Sequence, residues 1–153
     1  MLRLSRKALL ALEAVIDIAY NARPEPVQAK EITARQGVPQ RYLEQVMQQL
    51  VRAGILKGVR GPRGGYRLAR ERRRISVGDV VSIAMTLDDN EDSFDGGSEL
   101  GRRVVMPLMA SVQRDLMAKL DQISIEEVCK RARASGIESG GAPQSEAASD
   151  FTI

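Results

Sequence analysis

Four residues in one short stretch, Gln40, Arg41, Glu44 and Gln45, are of the types that read base edges in nucleic acid. Arginine bonds bidentately to guanine, glutamine to adenine, and glutamate accepts from the cytosine amino group. Glu44 is the informative member, because an acid gains little beside phosphates unless it discriminates among bases. A second group is Arg60-Gly61-Pro62-Arg63-Gly64-Gly65, where two guanidiniums share a glycine-rich turn. A hairpin tip ordinarily takes Asn-Gly or Asp-Gly, and like charges side by side are unfavourable unless an anion neutralises them. A narrow minor groove or flanking phosphates would supply that anion. Arg3, Arg6 and Lys7 make a third group at the start of the first predicted helix. Cations there oppose the positive end of the helix dipole, so phosphate contact is the reading that gives them a role. The run Arg70, Arg72, Arg73, Arg74 is as consistent with a solvated surface as with phosphates.

Other chemistries are excluded by inventory. The 153 residues include no His, which removes His acid–base catalysis, His-containing triads and His-ligated metal sites. The glycines at 61–65 match neither nucleotide-binding motif. Six acids and no base lie between Asp88 and Glu99, but their spacing does not fit a Ca²⁺ loop, and a solvated loop is the preferred reading. No catalytic residue and no metal ligand is therefore assigned; the chain does not read as an enzyme. A single cysteine, Cys129, cannot staple a secreted fold and suits a reducing compartment. No apolar run approaches the ~18 residues of a membrane span, and Glu13 and Asp17 interrupt the first apolar stretch, so neither a signal peptide nor a membrane partner is expected and the reading is cytoplasmic.

Charge is divided unequally along the chain. The formal net charge is +3, yet residues 1–75 carry 16 Lys and Arg against 6 Asp and Glu, while residues 76–153 carry 7 against 14. That split points the first half at a polyanion. With 43% hydrophobic residues, 3% aromatics and no Trp, the core must be aliphatic.

The elements that position these groups follow from periodicity and turn chemistry. Leu9, Leu12, Val15, Ile16, Ala19 and Tyr20 predict a helix over 5–22, with Ser5 as N-cap and Pro24 and Pro26 as stop. Residues 28–36 predict a second helix with Ile32 inward. Gly37 supplies a tight turn, and a third helix spans about 39–53 with Leu43, Val46, Met47 and Leu50 on one face and Gly54 at its end. Two helices joined by a Gly-containing turn form a helix-turn-helix unit. Strands over 55–59 and 66–69 close a hairpin directly after it, a "wing" whose tip carries Arg60 and Arg63. A helix follows from Val77 to Leu87, opened by Ser76-Val-Gly-Asp, and another short one spans 125–134. Residues 135–153, rich in Ser, Gly and Ala, read as a disordered tail.

The helix over 100–120 repeats Val105, Leu108, Met109, Val112, Leu116 and Leu120, with Pro107 in its first turn or at a kink. Such a stripe is core or, if the helix protrudes, the pairing face of a two-fold dimer. Pairing would set two recognition helices about one DNA turn, ~34 Å, apart. Cys129 falls on the apolar side of the last helix, as a buried structural thiol or a redox sensor; Glu126 and Glu127 would raise its pKa, and Lys130 and Arg131 would lower it.

The segments Leu2-Arg-Leu-Ser-Arg-Lys, Gln36-Gly-Val-Pro-Gln-Arg-Tyr-Leu-Glu-Gln, Val59-Arg-Gly-Pro-Arg-Gly-Gly-Tyr-Arg-Leu-Ala and Ile75-Ser-Val-Gly-Asp-Val resemble the IscR/NsrR/CymR type of bacterial winged helix-turn-helix regulators. The resemblance covers residues 1 to about 134. It implies a homodimeric transcription factor whose long helix pairs the subunits, and places Gln40, Arg41, Glu44, Gln45, Arg60 and Arg63 on DNA. Many members hold an iron–sulfur cluster through three cysteines in the loop before that helix. Residues 88–104 contain none here, and the nearest serines, Ser93 and Ser98, are poor ligands. No cofactor is therefore expected; an iron–sulfur cluster is not supported by the cysteine count. The departure moves the chain toward the cysteine-metabolism repressor type, which senses through a partner protein or small molecule.

These readings converge on a fold that is mainly α with a small β-hairpin: a winged helix-turn-helix domain plus a long dimerisation helix. Residues 1–87 form the DNA-binding domain, 88–99 an acidic sensor-like loop, 100–134 the dimerisation and terminal helices, and 135–153 the tail. The DNA-facing set is Arg3, Ser5, Arg6, Lys7, Pro39, Gln40, Arg41, Tyr42, Glu44, Gln45, Arg60, Gly61, Arg63, Gly64 and Gly65. The function expected is sequence-specific binding of double-stranded DNA by a homodimer on a palindromic operator, as a repressor, under a small-molecule or protein effector. The alternatives are an iron–sulfur or thiol redox-sensing regulator using Cys129 and a protein-interaction module that binds no DNA.

Overall fold

Residues 4–86 and 97–140 are described by a computed structural model of the chain. Among these described residues, six helices and one antiparallel hairpin follow in order: α1 (Arg6–Tyr20), α2 (Ala29–Gln36), α3 (Gln40–Arg52), β1 (Leu56–Val59), β2 (Gly65–Leu68), α4 (Val77–Thr86), α5 (Met106–Asp121) and α6 (Ile125–Ala134). A single 3₁₀ turn, Arg72–Arg74, links the hairpin to α4, and a π turn, Gly101–Val105, leads into α5.

The central helix is α1, against which α3, α4, α6 and β2 all pack. Its buried face holds Val15, Ala19 and Tyr20 of the expected stripe, with Leu12 and Ile16 partly buried against the core, and departs from it at Leu9. Ala8, Leu10, Ala11, Ala14, Val15, Ile18 and Ala19 are buried, whereas Leu9 is 52% exposed. Alanines let several neighbours approach one helix closely, so the small residues face inward and a large one is left outside. The rest of the core is aliphatic, from Ile32 of α2 through Leu43, Met47 and Leu50 of α3 to Val80, Val81 and Ile125.

Local capping sets the element ends. Ser5 accepts from the Ala8 amide at 3.1 Å, and Gly37, at φ +66°, makes the left-handed turn between α2 and α3. Ser76 and Asp79 cap α4 reciprocally, with the Asp79 amide donating to Ser76 Oγ at 2.9 Å and the Ser76 amide to Asp79 Oδ2 at 3.0 Å. Two ion pairs hold α2 and its approach to the scaffold: the Arg35 guanidinium bonds both Asp17 oxygens of α1 at 2.7 and 2.8 Å, and Arg23 meets Glu31 at 2.7 Å. Burial alone would raise the Glu31 pKa, but bonds from Arg23 and the Gln28 amide outweigh it and hold the carboxyl below its usual range.

Pro107 lies in the first turn of α5. Immediately before it, the Met106 amide reaches back to the Gly101 carbonyl, closing the π turn. The change of bonding pattern falls where proline has no N–H to contribute.

Three residues of the segment expected to form the tail, Ile137, Ser139 and Gly140, dock on the end of α1. The Tyr20 hydroxyl donates to the Ile137 carbonyl, Ser139 Oγ donates to the Tyr20 carbonyl at 2.7 Å, and the Gly140 amide donates to Asn21 Oδ1 at 2.6 Å. Asn21 is buried and spends its amino group on the Asp17 carbonyl at 2.9 Å. Composition could not reveal partners so distant in sequence. Residues 141–153 and the expectation of disorder there lie outside the described residues, as do 87–96, which hold most of the acidic segment.

Candidate nucleic-acid interface

Helix α3 buries Leu43, Val46, Met47 and Leu50 and leaves Gln40, Arg41, Gln45, Gln48 and Arg52 exposed. This is the predicted division into core and reading faces, extended by Gln48 and Arg52. The helical spacing from Arg41 through Gln45 and Gln48 to Arg52 carries that signal. Glu44 is half-buried although its polar neighbours are exposed, and it accepts from Gln40 Nε2 at 3.0 Å. Tyr66 of β2 is close enough to feel it. Burial raises the Tyr66 pKa first, and the Glu44 carboxylate adds to the rise. The recognition helix and the wing are thus electrostatic neighbours, a proximity with no signature in local sequence.

The remaining predicted residues are placed as follows. Pro39 is exposed at the N-cap of α3, while Tyr42 is half-buried and rests part of its ring on the core. Arg6 is exposed; Lys7 lines a groove of about 230 Å³ with Tyr42, Gln45, Gln48 and Gln49, which brings the start of α1 beside α3. Ser5 spends its hydroxyl oxygen on capping α1. Arg3 lies outside the described residues.

In the wing, Leu56 pairs with Leu68, Lys57 with Arg67, Gly58 with Tyr66 and Val59 with Gly65. Arg60 and Arg63 are exposed at the tip, and Gly61 adopts φ +112° with open space around it. Gly64 and Gly65 have internal reasons to be glycine: a Cβ would lie 2.3 Å from the Val59 carbonyl oxygen at Gly64 and 2.4 Å from that of Val27 at Gly65.

Ion pairing sorts the cations of the first half. Arg23, Arg35, Arg70 and Arg73 each meet a carboxylate, the third more distantly at 3.9 Å. Among the described residues, Arg41, Arg52, Arg60 and Arg63 meet none. Arg6, Lys30, Lys57 and Arg74 are likewise exposed and meet none, so the cations left for an outside anion include those of α3 and the wing tip but are not confined to them.

The helix α5 covers α4 with one side. Met106, Leu108, Met109, Val112 and Leu116 are exposed on it, as are Leu100, Val104 and Val105 in the segment leading into it. Leu120 differs: with Met117 it packs on the core. A mainly apolar groove of about 270 Å³ runs between α5 and the residues Leu4 and Met85.

Cys129 is buried on α6, and burial pushes its thiol pKa up. Arg72 bonds the sulfur and opposes the rise, with Arg133 also lowering it and Glu126 raising it. Arg72 and Arg133, rather than Lys130 and Arg131, are therefore the cations that act on it, because the 3₁₀ turn packs against α6. A thiol reagent should leave Cys129 unmodified in the folded protein and react fully after denaturation; rapid labelling of native protein would contradict this burial.

A helix-turn-helix with a hairpin wing, and with unpaired arginines on its second helix and the wing tip, defines the winged helix DNA-binding class. Residues 4–131 match the Rrf2 family, described as iron-dependent transcriptional regulators, and the chain belongs to that family. The IscR regulator of Vibrio cholerae is 34% identical over 120 residues, covering 78% of this chain and 68% of the relative. That of Escherichia coli O1:K1 is 35% identical over 120 residues, covering 78% and 72%. Among solved structures, T. potens IscR superposes with a TM-score of 0.70 at 34% identity, covering 91% of this chain and 94% of that one. CymR, the global cysteine regulator of B. subtilis, gives 0.64 at 25% identity, covering 86% and 98%. These relatives are HTH-type transcriptional regulators, not enzymes, and DNA-binding regulation is the shared function.

The family description names iron, and the donors of this chain do not fit a cysteine-held cluster. Its single cysteine is buried on α6 against Arg72, and it has no histidine. Among the described residues, no three Cys, His, Asp or Glu converge, and no helix is long and apolar enough to cross a membrane.

Proposed function

We propose that the chain is a cytoplasmic, homodimeric repressor that binds a palindromic operator without an iron–sulfur cluster and answers to a small-molecule or protein effector. The observation that carries the DNA-reading geometry is that Arg41 and Arg52 of α3 and Arg60 and Arg63 of the wing tip are exposed with no carboxylate partner among the described residues, while Arg23, Arg35 and Arg73 of the scaffold are paired. In this reading α3 enters the major groove, and Arg60 and Arg63 reach the minor groove or phosphates. Two copies joined through α5 would present two α3 helices to one palindrome. A filter-binding salt titration tests it: contact with ~6–10 phosphates loses ~10³–10⁵ in affinity between 50 and 200 mM salt. Absence of specific DNA binding at moderate salt would leave a protein-interaction module. A visible charge-transfer absorption in anaerobically purified protein would refute the cluster-free assignment.

Glu44 is the residue most exposed to test within this reading. Glu44→Ala should broaden the set of bound sites, because removing an acceptor aimed at cytosine also removes its penalty against other bases. Binding-site selection on both proteins checks this, and recovery of one identical motif would refute it.

A further inference from the structure

The wing is mounted on the connection between α1 and α2 as well as on its own hairpin. The Val27 amide donates to the Tyr66 carbonyl at 3.0 Å, and the Tyr66 amide donates to the Val27 carbonyl at 2.8 Å. The Arg67 guanidinium adds a bond to the Pro24 carbonyl. Val27 is followed by Gln28, the N-cap of α2, so the wing is attached where the helix-turn-helix begins.

That attachment depends on one missing side chain. A Cβ at Gly65 would lie 2.4 Å from the Val27 carbonyl oxygen and 2.7 Å from its carbonyl carbon. Both are backbone atoms, so no rotamer change can make room. Gly65, unlike Gly61, does not have the positive φ that would itself call for glycine. Space, not conformation, requires it. Gly65 pairs with Val59, and Arg60 comes next, so a shift at Gly65 is passed straight to the tip.

We propose that Gly65 is a positioning residue for DNA binding, its close contact with Val27 aiming Arg60 and Arg63 relative to α3. This rests on the reading that the wing arginines touch DNA. The test uses the full chain and a duplex recovered by binding-site selection with the unaltered protein. Gly65→Ala, the Arg60→Ala/Arg63→Ala double variant and the triple variant are compared in affinity, salt slope and selected motif. Gly65→Ala should lower affinity about tenfold or more, as loss of one charge-assisted bond would. It should also flatten the salt slope by up to ~2, at ~0.9 per lost phosphate contact. The motif read by α3 should be unchanged, and the triple variant should bind no worse than the arginine double variant. Amide exchange at Val27 and Tyr66 should quicken in Gly65→Ala, a readout independent of DNA.

Full affinity in Gly65→Ala, or losses that multiply in the triple variant, would overturn the assignment. If the arginine double variant itself binds as well as the unaltered chain, the underlying reading of the wing fails instead. Should Gly65→Ala not fold, Arg67→Lys keeps the charge while weakening the Pro24 attachment. It should produce a smaller loss that vanishes in the arginine double background, and a loss that persists there would count against the proposal.

Discussion

Replacing Val112 and Leu116 together with glutamate should yield a folded monomer whose operator affinity has fallen by about 10²–10⁴, the range lost when two linked half-site contacts become one. Val112 and Leu116 are each 39% exposed on α5, so neither is closed within this chain's core. Leu108, 59% exposed, and Met109, 41% exposed, continue the same stripe. Fully burying a large apolar side chain contributes ~1.5–3 kcal/mol, so covering the exposed 39–59% of each contributes about half that or less, and several together are needed to hold a dimer. Two carboxylates in that interface would have to lose water without a partner, which outweighs the gain from the remaining contacts. Folding should survive, because Met117 and Leu120, which do pack on the core, are untouched. Sedimentation at micromolar concentration checks the state, a thermal melt checks the fold, and filter binding checks the affinity. A double variant that still sediments as a dimer, or an unaltered chain that is monomeric, would refute α5 as the pairing helix.

The second large effect is expected at the wing. Arg60→Ala with Arg63→Ala should reduce operator affinity by about a hundredfold or more at moderate salt, since charge-assisted hydrogen bonds contribute ~1.5–3 kcal/mol each. The slope of log affinity against log salt should flatten by up to ~2. Thermal stability should hardly move, because neither arginine meets a carboxylate among the described residues and both are exposed. Removing two like charges from one tip can only relieve repulsion in the free protein. Arg73→Ala provides the contrast: its guanidinium bonds Glu71 at 2.6 Å, so its loss should leave DNA affinity near that of the unaltered chain. If the paired and unpaired arginines cost the same, ion pairing does not decide which cations serve DNA.

Much of this molecule was legible because its signals are local. Ser5, Gly37 and the Ser76–Asp79 pair act over a few residues, and a cap or left-handed turn leaves its mark within one helical turn. The inward face of α3 obeyed its period because that helix packs on one side only. The face of α1 kept its period but widened beyond the predicted stripe to take in Ala8, Ala11 and Ala14, since a helix covered by several neighbours selects for small residues as much as for apolar ones. The family resemblance and the winged fold followed from the same short motifs, chiefly around the wing.

By itself, the sequence determined the order of elements, the aliphatic core, the cationic first half and the candidate reading residues. These depend on hydrogen bonds and periodicities spanning a few positions, or on composition. Only the tertiary structure decided which cations are free to act. Arg35 is consumed by Asp17 of another helix, Arg72 turns to Cys129, and Arg60 and Arg63 stay unpaired. It alone showed that Gly65 is glycine for the sake of Val27, and that Ile137 to Gly140 close on the end of α1. Those partners are brought together by packing across loops, and no short window of sequence records which distant group will arrive.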